Sequence, residues 1–320
     1  MRWSSWSSRP HRQTEPITTD KNHETKMNNT VRTLLSAVAL ACCSLAQAQA
    51  PAPALASEQV AVGAKPYAMQ MASLGSGRYT VLFESGFGTD LRAWRKVAPE
   101  VAKSARAVAY SRAGHGQSEA RPEPRTIEQS TIELEELIAS AKLAPPFVLV
   151  GHSYGALLMR SFAARHPGQV AGMVLVDPSD ERFNPALRQL DAERAAADDR
   201  AFAGIVPPTF QPELKLLQPV LDSGKLPFAD KLPDVPVVVL TSNQQAEKPA
   251  FFLETPQAVA IKQQLHADFV RQFSTGSQVV TNKSGHNIQL EDPELVIAAV
   301  KEVIAAADKA AGKPGLQAQR

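Results

Sequence analysis

The chain has 320 residues, 44% hydrophobic and 21% charged, which gives it enough apolar content to bury a large core and excludes a disordered or fibrous main body. Its formal charge of +2 comes from the N-terminal segment. Without residues 1–50 the chain keeps 28 basic and 29 acidic side chains, a charge of −1, which leaves no electrostatic case for a nucleic-acid or anionic-membrane partner.

Residues 1–26 are polar and patternless, and Met27 stands where a secretory signal peptide with a short n-region would begin. Arg32 precedes an apolar run from Thr33 to Ala46, followed by the small-residue tract from Ala46 to Ala50. This layout predicts a signal peptide, hence an exported (periplasmic or secreted) mature protein. The alternative, a membrane anchor, fits less well. Ser36, Ser44 and Gln47 interrupt the run, which falls short of the roughly 20 apolar residues a span requires, so no stable membrane insertion of the mature chain is expected. Cys42 and Cys43 both lie inside the run, so a chain cleaved near Gln49 or Pro51 carries no cysteine, and disulfides and thiol catalysis drop out. Lipid modification of Cys42 or Cys43 is a further alternative, but the residues before them fit a lipoprotein cleavage site poorly.

Pro51 to Ala56 reads as a short linker, and residues 51–320 as one α/β domain. From Arg78 onward, strand-like runs alternate with helical patterns: Tyr79–Phe83, Ala105–Tyr110, Phe147–Val150, Val170–Val176, Val235–Leu240 and Gln278–Thr281. Alternation of this kind predicts a mostly parallel central sheet with helices on both faces. Thr126-Ile127-Glu128-Gln129 fits a capping box. Thr255-Pro256 and Asp292-Pro293 place a capping side chain before proline, opening helices near 256–273 and 293–307. About 180–232 the alternation breaks; helical fragments and prolines there, with a surface helix over Leu190–Ala203, predict a small cap insertion over a site.

The strongest chemical signal is the strand Phe147–Val150 running into Gly151-His152-Ser153-Tyr154-Gly155 and then into a helix. A sharp strand-to-helix turn strains the serine backbone and needs small residues at Gly151 and Gly155, while the helix start offers free N–H groups to an oxyanion. Ser153 is therefore the candidate nucleophile. Its hydroxyl needs a base on a loop at the same sheet edge. Five histidines follow residue 50. His152 belongs to the turn, His115 to a Gly-rich loop, His166 to a helix end and His266 to a helix. His286 follows the last strand and precedes the last helix, at the edge where parallel-sheet sites lie, and is the candidate base. A carboxylate must hold its tautomer. Asp177 ends the strand Val170–Val176 and is the candidate acid, with Asp180 and Glu247 as alternates, since no acid follows Val235–Leu240 before Glu247.

These residues resemble the α/β-hydrolase superfamily from about Arg78 to Ala307. Val81-Leu82-Phe83-Glu84-Ser85-Gly86-Phe87-Gly88 looks like its His-Gly oxyanion loop, with Ser85 at the histidine position. The resemblance implies backbone N–H donors at Phe87 and Tyr154. Tyr110 to Ser118 resembles the family's Arg-x-Gly-x-Gly-x-Ser turn, a structural element there, and Ser284 to Leu295 its histidine loop and final helix. An acid one strand earlier than in most members is a departure that this chain shares with some. The expectation is a serine hydrolase acting on a small-molecule or lipid ester through an acyl-enzyme, with no metal or organic cofactor. Hydrolysis of another acyl or carbon–carbon bond, and a binding protein that keeps the fold, are the alternatives.

Overall fold

The computed structural model describes residues 55–245 and 247–312. The expected signal peptide, both cysteines and most of the linker lie outside them. Among the described residues eight strands form one sheet in the order β1-β2-β4-β3-β5-β6-β7-β8. They are β1 (Glu58–Val62), β2 (Tyr67–Leu74), β3 (Thr80–Glu84), β4 (Arg106–Tyr110), β5 (Phe147–His152), β6 (Val170–Val176), β7 (Val237–Ser242) and β8 (Gly276–Thr281). β4, β3, β5, β6, β7 and β8 run parallel, while the pairs β1–β2 and β2–β4 are antiparallel.

The helices among the described residues, in chain order, are α1 (Ala98–Val101), α2 (Ile127–Ser140), α3 (Tyr154–Arg165), α4 (Phe183–Leu190), α5 (Ala192–Ile205), α6 (Gln211–Ser223), α7 (Pro256–Val270), α8 (Ile288–Glu291) and α9 (Pro293–Ala311). None is long and apolar enough to cross a membrane.

Continuous apolar runs make sense here because both sheet faces are covered. Successive residues of a strand point to opposite faces. Val148 and Val150 of β5, Val174 and Val176 of β6, and Val238 and Leu240 of β7 pack with Val296, Val300 and Val303 of α9. The residues between them, Phe147, Leu149, Met173, Leu175, Val237 and Val239, pack with Leu134 and Leu137 of α2 and Met159 and Phe162 of α3. Each such side chain contributes about 1.5–3 kcal/mol of burial.

The hairpin β1–β2 lies upstream of the expected strands. Its residues carry Met, Ala and Gln rather than a run of β-branched side chains, and it joins the sheet through non-local pairing of Met71 with Tyr110. Two expected caps also differ. Thr126 accepts from the Gln129 N–H at 3.0 Å, but its own N–H goes to Pro124 O, so only half the box forms. Asp292 precedes α9 without a side-chain cap. Between β6 and β7, residues 183–223 form α4, α5 and α6, with the surface helix at Ala192–Ile205 rather than Leu190–Ala203.

Candidate active site

The carboxyl ends of β3, β5, β6 and β7 and the loop after β8 converge on Ser153. At the end of β5, Ser153 has φ 52° and ψ −123° and precedes the first turn of α3. This positive φ is costly for a residue with a Cβ and persists only where the surroundings enforce it. The enforcement is close packing. A Cβ on Gly151 would lie 2.7 Å from Ala156 Cα, and one on Gly155 would lie 2.6 Å from Ser85 O, so neither position has room for a side chain. Tyr154 opens α3, so its N–H is one of the orphan donors of a helix start. Among the described residues, the Phe87 N–H has no backbone acceptor.

The Asp177 carboxylate accepts from three directions. His286 Nδ1 donates to Oδ2 at 2.7 Å, the Ser242 N–H to Oδ1 at 3.0 Å, and Lys262 Nζ to Oδ1 and Oδ2 at 3.0 and 3.1 Å. Asp177 follows β6 at φ 38°, a second backbone outlier at the site, and its carboxylate is buried. Burial alone would raise this carboxyl, but the His286 hydrogen bond and the Lys262 ammonium outweigh it and hold it well below the usual carboxylate range. Because a carboxylate can only accept, His286 carries its proton on Nδ1 and leaves Nε2 bare as an acceptor. The His286 side chain is 53% exposed, so this candidate base is open to solvent.

His152 lies against the His286 ring, centroids 4.7 Å apart, and its Nε2–H donates to His286 O at 2.9 Å. Burial, with His286 beside it, pushes this imidazole down to about 3, so it is a neutral prop for the base loop. Ser242 Oγ donates to Ser284 O at 2.8 Å and holds the other side of that loop. Among the described residues the Ser153 hydroxyl makes no hydrogen bond.

The oxyanion loop has its own brace. Arg112 is buried; its Nη1 donates to Glu84 Oε1 at 2.5 Å and to Ser85 O at 2.7 Å, and its Nη2 to Gly86 O at 2.9 Å. Tyr110 also donates to Glu84. The turn read from the sequence as merely structural thus fixes the loop that carries Phe87. Glu213 of α6, fully buried, sits 3.9 Å from Arg112 Nε and 3.5 Å from His115 Nε2, and Phe210 stacks on His115 at 4.8 Å. Phe87 meets Phe202 and Phe210 at 6.3 and 6.2 Å, so residues between β6 and β7 cover the oxyanion loop.

The structure therefore brings Ser153, His286, Asp177, Phe87 and Tyr154 to one sheet edge. The alternates for the acid go elsewhere: Asp180 is engaged by Arg182 at 2.6 Å, and Glu247 is exposed. Lys262, Ser242, His152 and Arg112 are site residues that sequence reasoning left out. Two of them carried a signal: His152 inside the serine turn, and Arg112 inside the Arg-x-Gly-x-Gly-x-Ser turn.

Residues 81–299 match the model of the alpha/beta hydrolase family. The chain belongs to that family. Among its relatives is the uncharacterized protein YqjL of Bacillus subtilis, 27% identical over 243 residues, covering 73% of this chain and 86% of YqjL. Lipase LipV of Mycobacterium tuberculosis is 30% identical over 174 residues, covering 49% of this chain and 64% of the lipase. A thermophilic esterase from Thermogutta terrifontis superposes with a TM-score of 0.53 at 18% identity, covering 79% of this chain and 99% of the esterase, which shows the shared fold.

Proposed function

We propose that the protein is an exported serine hydrolase that cleaves carboxylic esters through an acyl-enzyme on Ser153. The observation that carries this reading is the 2.7 Å hydrogen bond from His286 Nδ1 to the buried Asp177 carboxylate, beside a serine at φ 52° on a strand-to-helix turn. In this cycle His286 Nε2 takes the Ser153 proton as Oγ attacks the ester carbonyl. The Phe87 and Tyr154 N–H groups stabilise the oxyanion, and the imidazolium then protonates the leaving alcohol. His286 next activates water, which releases the acid and frees Ser153. The cycle calls on no metal or organic cofactor. Similarity to proteins described as a lipase and an esterase supports the choice of an ester. The apolar tract before Ala50 supports export.

A fluorophosphonate probe tests the mechanism because it reports an activated serine without requiring the natural ester. The native chain is expected to label, and Ser153→Ala to lose labelling completely. A folded native chain that does not label removes the hydrolase reading and leaves a binding protein built on the same fold. Export is checked by the mass of the mature N-terminus, expected near Gln49 or Pro51.

A further inference from the structure

The Asp177 carboxylate has two cationic or potentially cationic partners, where tautomer control needs only one. Lys262 Nζ lies within 3.1 Å of both its oxygens, and the lysine side chain is 21% exposed against 1% for the carboxylate. Helix α7 delivers this ammonium from a fixed position. One turn further on, His266 is buried; its Nε2–H donates to Pro178 O at 3.0 Å, and its Nδ1 accepts from Thr241 Oγ1 at 2.9 Å. The ring thereby pins α7 to the segment after β6 and to the end of β7. Because a carbonyl oxygen only accepts, His266 is held as the neutral Nε2–H tautomer, consistent with burial pushing it down to about 4.

We propose that Lys262 is a positioning residue of the triad: by sharing the Asp177 carboxylate with His286, it sets the pH above which His286 can act as base. The inference rests on the triad reading given above. An imidazolium on His286 is stabilised by the negative charge of Asp177 and opposed by the positive charge of Lys262 just beyond it. The other titratable groups facing this pair are His152 from the end of β5 and His266 from α7, both held neutral, with Asp180 and Arg182 paired to each other after β6 and Glu291 on the Gly285 N–H at 2.6 Å. None of these supplies a second mobile charge to the Asp177 carboxylate.

The test is the rate of fluorophosphonate labelling against pH for the native chain, Lys262→Met and Lys262→Arg. It is paired with the NMR titration of the His286 imidazole, assigned with His286→Gln. Removing the ammonium is expected to move the acidic limb of the labelling profile, and the imidazole midpoint, up by about one pH unit. At a pH below the limb this is a roughly tenfold loss of rate, with little loss on the plateau. Lys262→Arg should restore the native profile. If Lys262→Met does not fold, Lys262→Gln carries the same expectation. A uniform loss at every pH with an unmoved midpoint, or an arginine variant that behaves like the methionine one, overturns the proposal and leaves Lys262 as a packing residue. A native chain that titrates as expected but never labels removes the hydrolase reading instead, since the imidazole midpoint still reports the coupling.

Discussion

Two carboxylates flank the candidate nucleophile, and both are buried against a cation, yet they do opposite work. Glu84, under the oxyanion loop, is enclosed by Arg112 and Tyr110, and the Arg112 guanidinium also donates to Ser85 O and Gly86 O. Burial pushes this carboxyl up against the pull of Arg112, so the pair is expensive and rigid. Asp177 faces Lys262 and His286, is held low, and hands its charge to an imidazole that reaches solvent. The first pair fixes backbone; in the proposed cycle the second supports a proton acceptor. A buried ion pair thus serves as scaffold or as chemistry depending on whether one partner touches a group that can exchange protons with the outside.

The widest separation between the two is expected from Asp177→Asn. The amide can donate to Nδ1, which favours the tautomer with its proton on Nε2 and removes the acceptor that Ser153 needs. Fluorophosphonate labelling should fall about 10⁴-fold, as for the same exchange in a serine triad, while the chain stays folded. Labelling within tenfold of native would show that the acid acts from elsewhere. The matching break on the other side, Arg112→Met, should act chiefly on stability. It leaves Glu84 buried without its cation, at a cost of about 3–5 kcal/mol in urea unfolding. A loss under about 1 kcal/mol would mean that water enters and solvates Glu84 freely.

The same contrast accounts for what could be read before the structure. Strand runs such as Phe147–Val150 and Val235–Leu240 were visible because the strands they hold, β5 and β7, are buried on both faces and so carry few polar interruptions. The serine turn and the His286 loop were visible because their chemistry needs glycines and a histidine at fixed places along the chain. Asp177 stood out only as a strand-end acid. What singles it out in the structure is its 2.7 Å contact with His286 Nδ1, with the Ser242 N–H at the end of β7 donating to its other oxygen. Lys262 had no signature, since a lysine on a helix is ordinarily a solvated side chain, and its contact with Asp177 depends on how α7 packs. The hairpin β1–β2 was hidden for a different reason: its residues have modest β propensity and become strand through pairing with β4, a contact about 40 residues away in sequence.

The finest probe of the comparison is a carboxylate that has burial without a close cation. Glu133 on α2 is 2% exposed, its Oε1 has no hydrogen-bond partner, and burial pushes it up to about 7 from an ordinary value near 4.5. Because the folded chain holds this proton more tightly than the unfolded chain, the native state carries no penalty below about pH 4.5. The penalty grows between pH 4.5 and 7 and is complete above 7, where it amounts to about 3 kcal/mol. Glu133→Gln removes the charge while keeping the shape. It is therefore expected to raise the urea midpoint strongly at pH 8 and hardly at pH 5. An equal gain at both pH values would mean that the substitution acts through packing and that Glu133 stays ionised at little cost. Burial alone would then not explain why Glu84 and Asp177 each need a cation.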